Sequence, residues 1–312
     1  MRLRRASSKI AFAIVLLLLL SSCKKLSDFG SLADSGNKAS QQLANYYSQL
    51  QDTTDRTLEL SYFLSGLRGI SDDATYQRLL TRKAEIRKRQ AFATKIAAMY
   101  TAYSSLTSTK DEAQIESSVT DISTSLKSMK ALSSSNTAFD STASALAKQL
   151  DELVREKKAE KILPKLQAFN DGVVKLLQSE ATDYQTFNDD YVDELKNVGQ
   201  TLIDAGSADP EPLLDQELQT LGLAPIKDKP LTADAKAGYK NLLQFKAVQI
   251  DSSMNNAFTG IVSAFSKLSQ ACANLQKDQP LSLSSIEDSI QQAETYLGIV
   301  SDLKGKGASN GK

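Results

Sequence analysis

Apolar residues recur along nearly the whole chain at steps of three and four, and no segment alternates cleanly at steps of two. Steps of three and four place side chains on one face of a helix, whereas alternation would mark strands. Leu43, Tyr47, Leu50, Thr54 and Leu58 form the first stripe, which Gly66 and Gly69 close. Ser71, Asp72 and Asp73 offer caps for a second helix carrying Tyr76, Leu79, Ile86, Ile96, Met99, Tyr100 and Tyr103. Thr109-Lys110-Asp111-Glu112 is a capping box that opens a third helix, with Ile115, Val119, Ile122, Leu126 and Met129. Asn136 interrupts, and Phe139, Ala143, Leu146, Leu150 and Leu153 make a fourth. The alternation of three and four is the seam of a left-handed coiled coil, kept in each of these helices for only two heptads.

Pro164 suits the first turn of a new helix. From Leu166 one stripe runs through Phe169, Val173, Leu177, Tyr184, Phe187, Tyr191, Leu195, Val198 and Leu202. It predicts a single helix of nearly 40 residues, about 60 Å long. Residues 206–230 hold Pro210, Pro212, Pro225 and Pro230, and read as a loop with one short helix around Leu213 to Leu221. A second long stripe, from Leu243 to Leu275, predicts a helix from Thr232 to Lys277. Pro280 ends it, and Ser284-Ser285-Ile286-Glu287 is a second capping box for a last helix through Ile290, Ala293, Leu297 and Val300. The expected fold is all-α: an elongated antiparallel helical bundle with coiled-coil-like seams and one long helical hairpin. The expected organisation is a signal segment 1–22, a lipidated flexible tether 23–37, a bundle 38–304 divisible into 38–163 and 164–304, and a flexible tail 305–312. No internal repeat is visible.

Composition narrows the chemistry. The 312 residues include no His, no Trp and two Cys. Without His, Ser-His-Asp and Cys-His catalysis, His-ligated metals and imidazole pH sensing are excluded. Two cysteines cannot supply a disulfide framework or a four-thiolate metal site. No Gly-rich phosphate loop, Gly-x-Ser-x-Gly or Cys-x-x-Cys occurs. Aromatics are 6% of residues, which suits thin layers of Leu, Ala, Ile and Val rather than a thick core.

The N-terminus reads as an address. Arg2, Arg4, Arg5 and Lys9 precede an 11-residue apolar run, Ile10–Leu20. A spanning helix needs about 20 apolar residues, so this run has the proportions of a signal peptide. Leu20-Ser21-Ser22-Cys23 follows at once and resembles the lipobox of bacterial lipoproteins. That resemblance covers the export signal alone. It implies cleavage before Cys23, a diacylglycerol on its thiol and a fatty acid on its amine, so that the chain meets a membrane through lipid. In the same family Lys24, in place of Asp after the Cys, implies an outer-membrane protein facing the periplasm. Without residues 1–22 the chain carries 33 basic and 37 acidic side chains, a net charge of −4. That balance gives no support for nucleic-acid binding.

Four further features invite a function. The second helix carries Arg78, Arg82, Lys83, Arg87, Lys88, Arg89 and Lys95 against Glu85 alone. This stripe could meet anionic lipid head groups, an acidic partner or peptidoglycan carboxylates. It could equally pair within the bundle, for instance with Glu152, Glu156 and Glu160. The acidic run Asp183, Asp189, Asp190, Asp193 and Glu194 lacks EF-hand spacing and reads as a solvated face. Tyr46, Tyr47, Tyr62, Tyr100 and Tyr103 could line a ligand groove, or sit in the core with their hydroxyls at its rim. Cys272 lies on an apolar stripe and reads as a small buried hydrophobe.

These features lead to an expected function: a lipid-anchored envelope protein that binds or scaffolds a protein partner, not an enzyme, and without cofactor or metal. The alternatives are a membrane-active bundle, similar to helical toxins, and a ligand-sensing bundle, similar to the four-helix periplasmic modules of receptors. Either would work with a partner.

Overall fold

A computed structural model describes residues 3–69, 73–104, 109–133, 136–154, 159–207 and 233–305, with side chains from Ser27 onward except at 68, 109–112, 154, 159–161, 235–236 and 305. These residues form eight α-helices and, among them, no strand: α1 (Leu3–Arg68), α2 (Asp73–Ser104), α3 (Thr109–Ser128), α4 (Ala138–Val154), α5 (Ala159–Ser179), α6 (Ala181–Asp204), α7 (Ala233–Gln276) and α8 (Ser284–Gly305). The chain is an all-α helical bundle. Neighbours in sequence pack as antiparallel pairs: α1 on α2, α2 on α3, α3 on α4, α4 on α5, α6 on α7 and α7 on α8. Helix α1 also touches α6, α7 and α8, and α5 packs on α7, so the layers close around α1 and α7. One core runs through them, formed by the expected stripes.

Three expectations change. The segment expected as a tether is helical, and from Phe29 onward it is core: Phe29, Leu32, Ala33 and Ser35 are buried. Phe29 meets Tyr103 edge to face at 6.0 Å, and a Cβ on Gly36 would stand 2.3 Å from the Tyr100 ring. Its small residues therefore let α2 approach closely, a use of Gly and Ser that linker composition mimics.

The single long helix expected from Leu166 is two helices. Glu180 interrupts it with φ −109° and ψ 2°, outside the helical region. Helix α5 also begins at Ala159, so Pro164 lies beyond the first turn. The partner arm, Ala233–Gln276, is continuous and about 66 Å long.

Helix α8 begins one residue ahead of the expected capping box. The Leu283 carbonyl accepts the Glu287 N–H at 2.9 Å, which makes Ser284 a helical residue and not the cap.

Helix ends are closed by left-handed residues. Gly206 (φ 66°) follows α6, with Ser207 N–H donating to the Leu202 carbonyl at 2.9 Å. Asp278 (φ 53°) does the same after α7, with Gln279 N–H donating to Asn274 at 2.9 Å. The expected short helix at Leu213 to Leu221 lies outside the described residues, as does the tail from residue 306.

Candidate functional site

The basic stripe of α2 is mostly turned inward. Arg82, 8% exposed, donates to Asp190 at 2.8 Å and lies 3.7 Å over the Phe187 ring. Lys83 pairs with Asp55 at 2.5 Å. Lys88 donates to Glu85 at 2.6 Å and to the Ser128 carbonyl at 2.9 Å. Arg89 is 1% exposed and grips Glu180, itself 1% exposed, through Nε and Nη2. Only Arg78 and Arg87 of the six proposed binding residues are exposed. The stripe is therefore chiefly an intramolecular clasp. Its partners are Asp55, Glu85, Glu180 and Asp190. Of the partners expected from sequence, Glu152 pairs with Lys165 at 2.6 Å instead, and the Glu156 and Glu160 side chains lie outside the described residues.

Arg89 and Glu180 sit at the interruption between α5 and α6. Arg89 also donates to the Glu85 carbonyl at 3.0 Å and the Lys130 carbonyl at 2.8 Å, and its guanidinium lies 5.1 Å over the Phe139 ring. Glu85 returns a bond by accepting the Lys130 N–H at 2.9 Å. Asn136 donates to the Ser179 carbonyl at 2.8 Å and to Asp183 at 2.9 Å. Tyr184 donates to Glu180, and its hydroxyl lies 3.0 Å from that of Tyr47. Burial works against a charge on Arg89, but the hydrogen bonds and charge of Glu180 outweigh it and hold the guanidinium above its usual pKa. Burial pushes the Tyr47 and Tyr184 hydroxyls up. A cluster of Arg, Glu and two Tyr has catalytic ingredients, yet both ends of its ion pair are sealed from solvent. Its chemistry is to satisfy the backbone groups that a broken helix and a loop leave open.

The acidic run is accordingly divided. Asp190 and Asp183 are partners of α2 and of the α3–α4 connection, while Asp193 pairs with Lys196 at 2.7 Å on the surface. Cys272 is fully buried, as expected, and burial pushes its thiol up to about 12. Tyr100 donates to Asn170, whose amide approaches the Cys272 sulfur at 4.0 Å. Among the described residues no group of His, Cys, Asp and Glu could hold a metal, and no helix is long and apolar enough to cross a membrane.

The tyrosines split in a way that sequence spacing did not separate. Tyr46, Tyr47, Tyr100 and Tyr103 are buried with their hydroxyls, not at a rim, whereas Tyr62 is 73% exposed. Tyr62 stands near the end of α1 with Phe63, Leu67 and, across on α2, Tyr76, all exposed. A groove of about 770 Å³ opens here between the two helices, lined by Leu58, Glu59, Tyr62, Asp73, Tyr76 and Leu79 with small residues between them. The Tyr62 and Tyr76 rings stand 6.4 Å apart at 55°. Sequence reasoning allowed a Tyr-lined groove that included Tyr62, but it grouped Tyr62 with tyrosines that are buried and did not place Tyr76 in this one. The signal for this groove was the small trio Ser61, Ser65 and Gly66 beside Tyr62, next to the hairpin turn.

Leu20, Ser21, Ser22, Cys23 and Lys24 lie outside the residues whose side chains are described. The chain matches no protein-family model, no curated protein and no solved structure.

Proposed function

We propose that the protein is a lipid-anchored component of a bacterial cell envelope that acts by binding or scaffolding, not by catalysis. Cys23 carries the diacylglycerol and fatty acid, and Lys24 directs the chain to the periplasmic face of the outer membrane. The observation that carries this reading is the order of basic segment, 11-residue apolar run and Leu20-Ser21-Ser22-Cys23. Two or three acyl chains hold a protein where one gives only marginal binding, at about 0.8 kcal/mol per buried methylene.

Helix α1 supports the reading mechanically. It is continuous from the lipobox into the core, and Phe29 is already packed. The acylated residue would thus stand within two turns of the folded body, which becomes a strut and not a bead on a string. Tyr62 lies on the same helix, about 58 Å beyond Cys23 at 1.5 Å per residue. The groove it lines would then face away from the anchoring membrane, where a partner or ligand can reach it. An enclosed clasp and an open groove at the far end favour binding over membrane insertion.

Growth with an alkyne-tagged palmitate, followed by capture of the protein, tests the anchor. Label is expected in the wild type and absent in Cys23→Ala, which should leave the detergent phase on extraction. Equal labelling of both, or none in either, overturns the proposal.

A further inference from the structure

We propose that the groove between the ends of α1 and α2 binds a small organic cation with an apolar body, such as an alkylammonium. This deepens the binding reading above by giving it a ligand class, but it does not depend on lipid at Cys23.

Three observations carry the inference. The first is shape. A groove of about 770 Å³ is of the size that takes small ligands, and it exists because Ser61, Ser65, Gly66 and Thr75 leave room where Leu and Tyr fill the rest of the α1–α2 seam. No heavy atom lies within 4 Å of a Cβ built on Gly66.

The second is the aromatic pair. Tyr62 and Tyr76 are 73% and 39% exposed, while the other tyrosines of these two helices are buried. Neither ring is needed to fill the core. Tilted at 55° with centroids 6.4 Å apart, they form two walls of an open wedge. A ring face attracts a cation within about 6 Å of its centroid.

The third is charge. Glu59 and Asp73 lie on the groove wall, and among the described residues no Lys or Arg lines it. The exposed Glu59 carboxylate stands one helical turn before Tyr62 and lines the same groove as the two rings. Leu58 and Leu79 give an apolar floor for the alkyl body. An anion would meet the exposed Glu59 carboxylate, and a neutral apolar ligand would leave it unused.

Titration calorimetry of the purified full-length chain with hexyltrimethylammonium tests the assignment, with neutral hexyl methyl ether and hexanoate as controls. Saturable binding of the ammonium is expected, with at least tenfold weaker binding of both controls. Glu59→Gln should weaken ammonium binding about three- to tenfold. Tyr62→Leu should weaken it about tenfold, with the helical circular dichroism and melting temperature unchanged, because Tyr62 is exposed. Equal binding of ether and ammonium overturns the proposal, as does an absence of ammonium binding at millimolar concentration. Binding of an Arg- or Lys-rich peptide without binding of the free ammonium also overturns it, and would assign the groove to a protein partner. A negative result here leaves palmitate labelling at Cys23 unaffected, so the two proposals fail separately.

Discussion

A guanidinium and a carboxylate that are both 1% exposed stand only while each has the other. Removing one leaves a charge in a site that cannot hydrate it, at about 3–5 kcal/mol. Replacing both with apolar residues of similar size removes the desolvation cost together with the attraction, and is often close to neutral. Arg89→Met should therefore lower unfolding stability in urea by about 3–5 kcal/mol. Glu180→Met should do the same, and the double variant should lose clearly less than the sum. Additive losses would mean that the two residues act separately, through Lys130 and Tyr184. This pair was not legible in the sequence. Arg89 is one of six cations within twelve positions, and Glu180 sits in a stretch whose apolar period runs on unbroken to either side. Periodicity reports which face of a helix is apolar. It carries no term for a charge whose partner is 91 residues away.

At the scale of the helix, close approach decides more than propensity. On α7, a Cβ at Gly260 would stand 2.9 Å from the Ser289 carbonyl oxygen and 3.0 Å from the Ala293 nitrogen, both backbone atoms of α8. Neither can swing aside, so Gly260→Ala should force the helices apart and cost about 1–3 kcal/mol. Gly298 is also helical, but nothing lies within 4 Å of its would-be Cβ. Gly298→Ala should stabilise by about 0.5–1 kcal/mol through the restricted unfolded chain. Paired melting curves of the two variants check this, and shifts of the same sign would refute it. Read as a sequence, both glycines are helix residues of the same kind. The helices themselves were legible: the boundaries of α2, α7 and α8 fall within a residue or two of those the stripes imply. The interruption at Glu180 was not, because no Pro or Gly marks it. It is held by Asn136 and Arg89 from other elements.

Closure of the whole bundle depends on a contact across most of the chain. The side chain of Lys304, at the end of α8, is 3% exposed and donates to the Gln49 carbonyl at 3.1 Å and to Thr53 on α1. Asp52 lies 3.5 Å away, Arg56 adds a like charge, and the Tyr191 ring stands 5.5 Å off. Burial lowers the amine from 10.5 to about 8, with Arg56 adding slightly and Asp52 opposing. The folded chain thus releases this proton near pH 8, and the unfolded chain holds it to about 10.5. Between those values the unfolded state binds more protons, so this residue makes stability rise with pH. The buried Cys272 and tyrosines, shifted up, act oppositely above about pH 9. They cancel when wild type is compared with Lys304→Met. The difference in unfolding free energy should move in favour of the wild type by roughly 2–3 kcal/mol from pH 8 to 10.5, at up to about 1.4 kcal/mol per pH unit. A difference that stays flat over that range would place the amine in water.

The sequence by itself determined that this chain is chiefly helical from residue 38 onward, where most of those helices begin and end, most of the residues that form the core, and that no chemistry requiring His is available. Those properties follow from local rules: a 3.6-residue period, caps and breakers within a turn, and the residue types present. Only the tertiary structure decided what the polar residues do. It made a basic stripe into a clasp, a supposed tether into core, and two of many tyrosines into the walls of a groove. Each of those outcomes depends on what stands opposite, and helix pairing across tens of residues sets that, because a charge, a small residue or an aromatic ring takes its role from its neighbour in space.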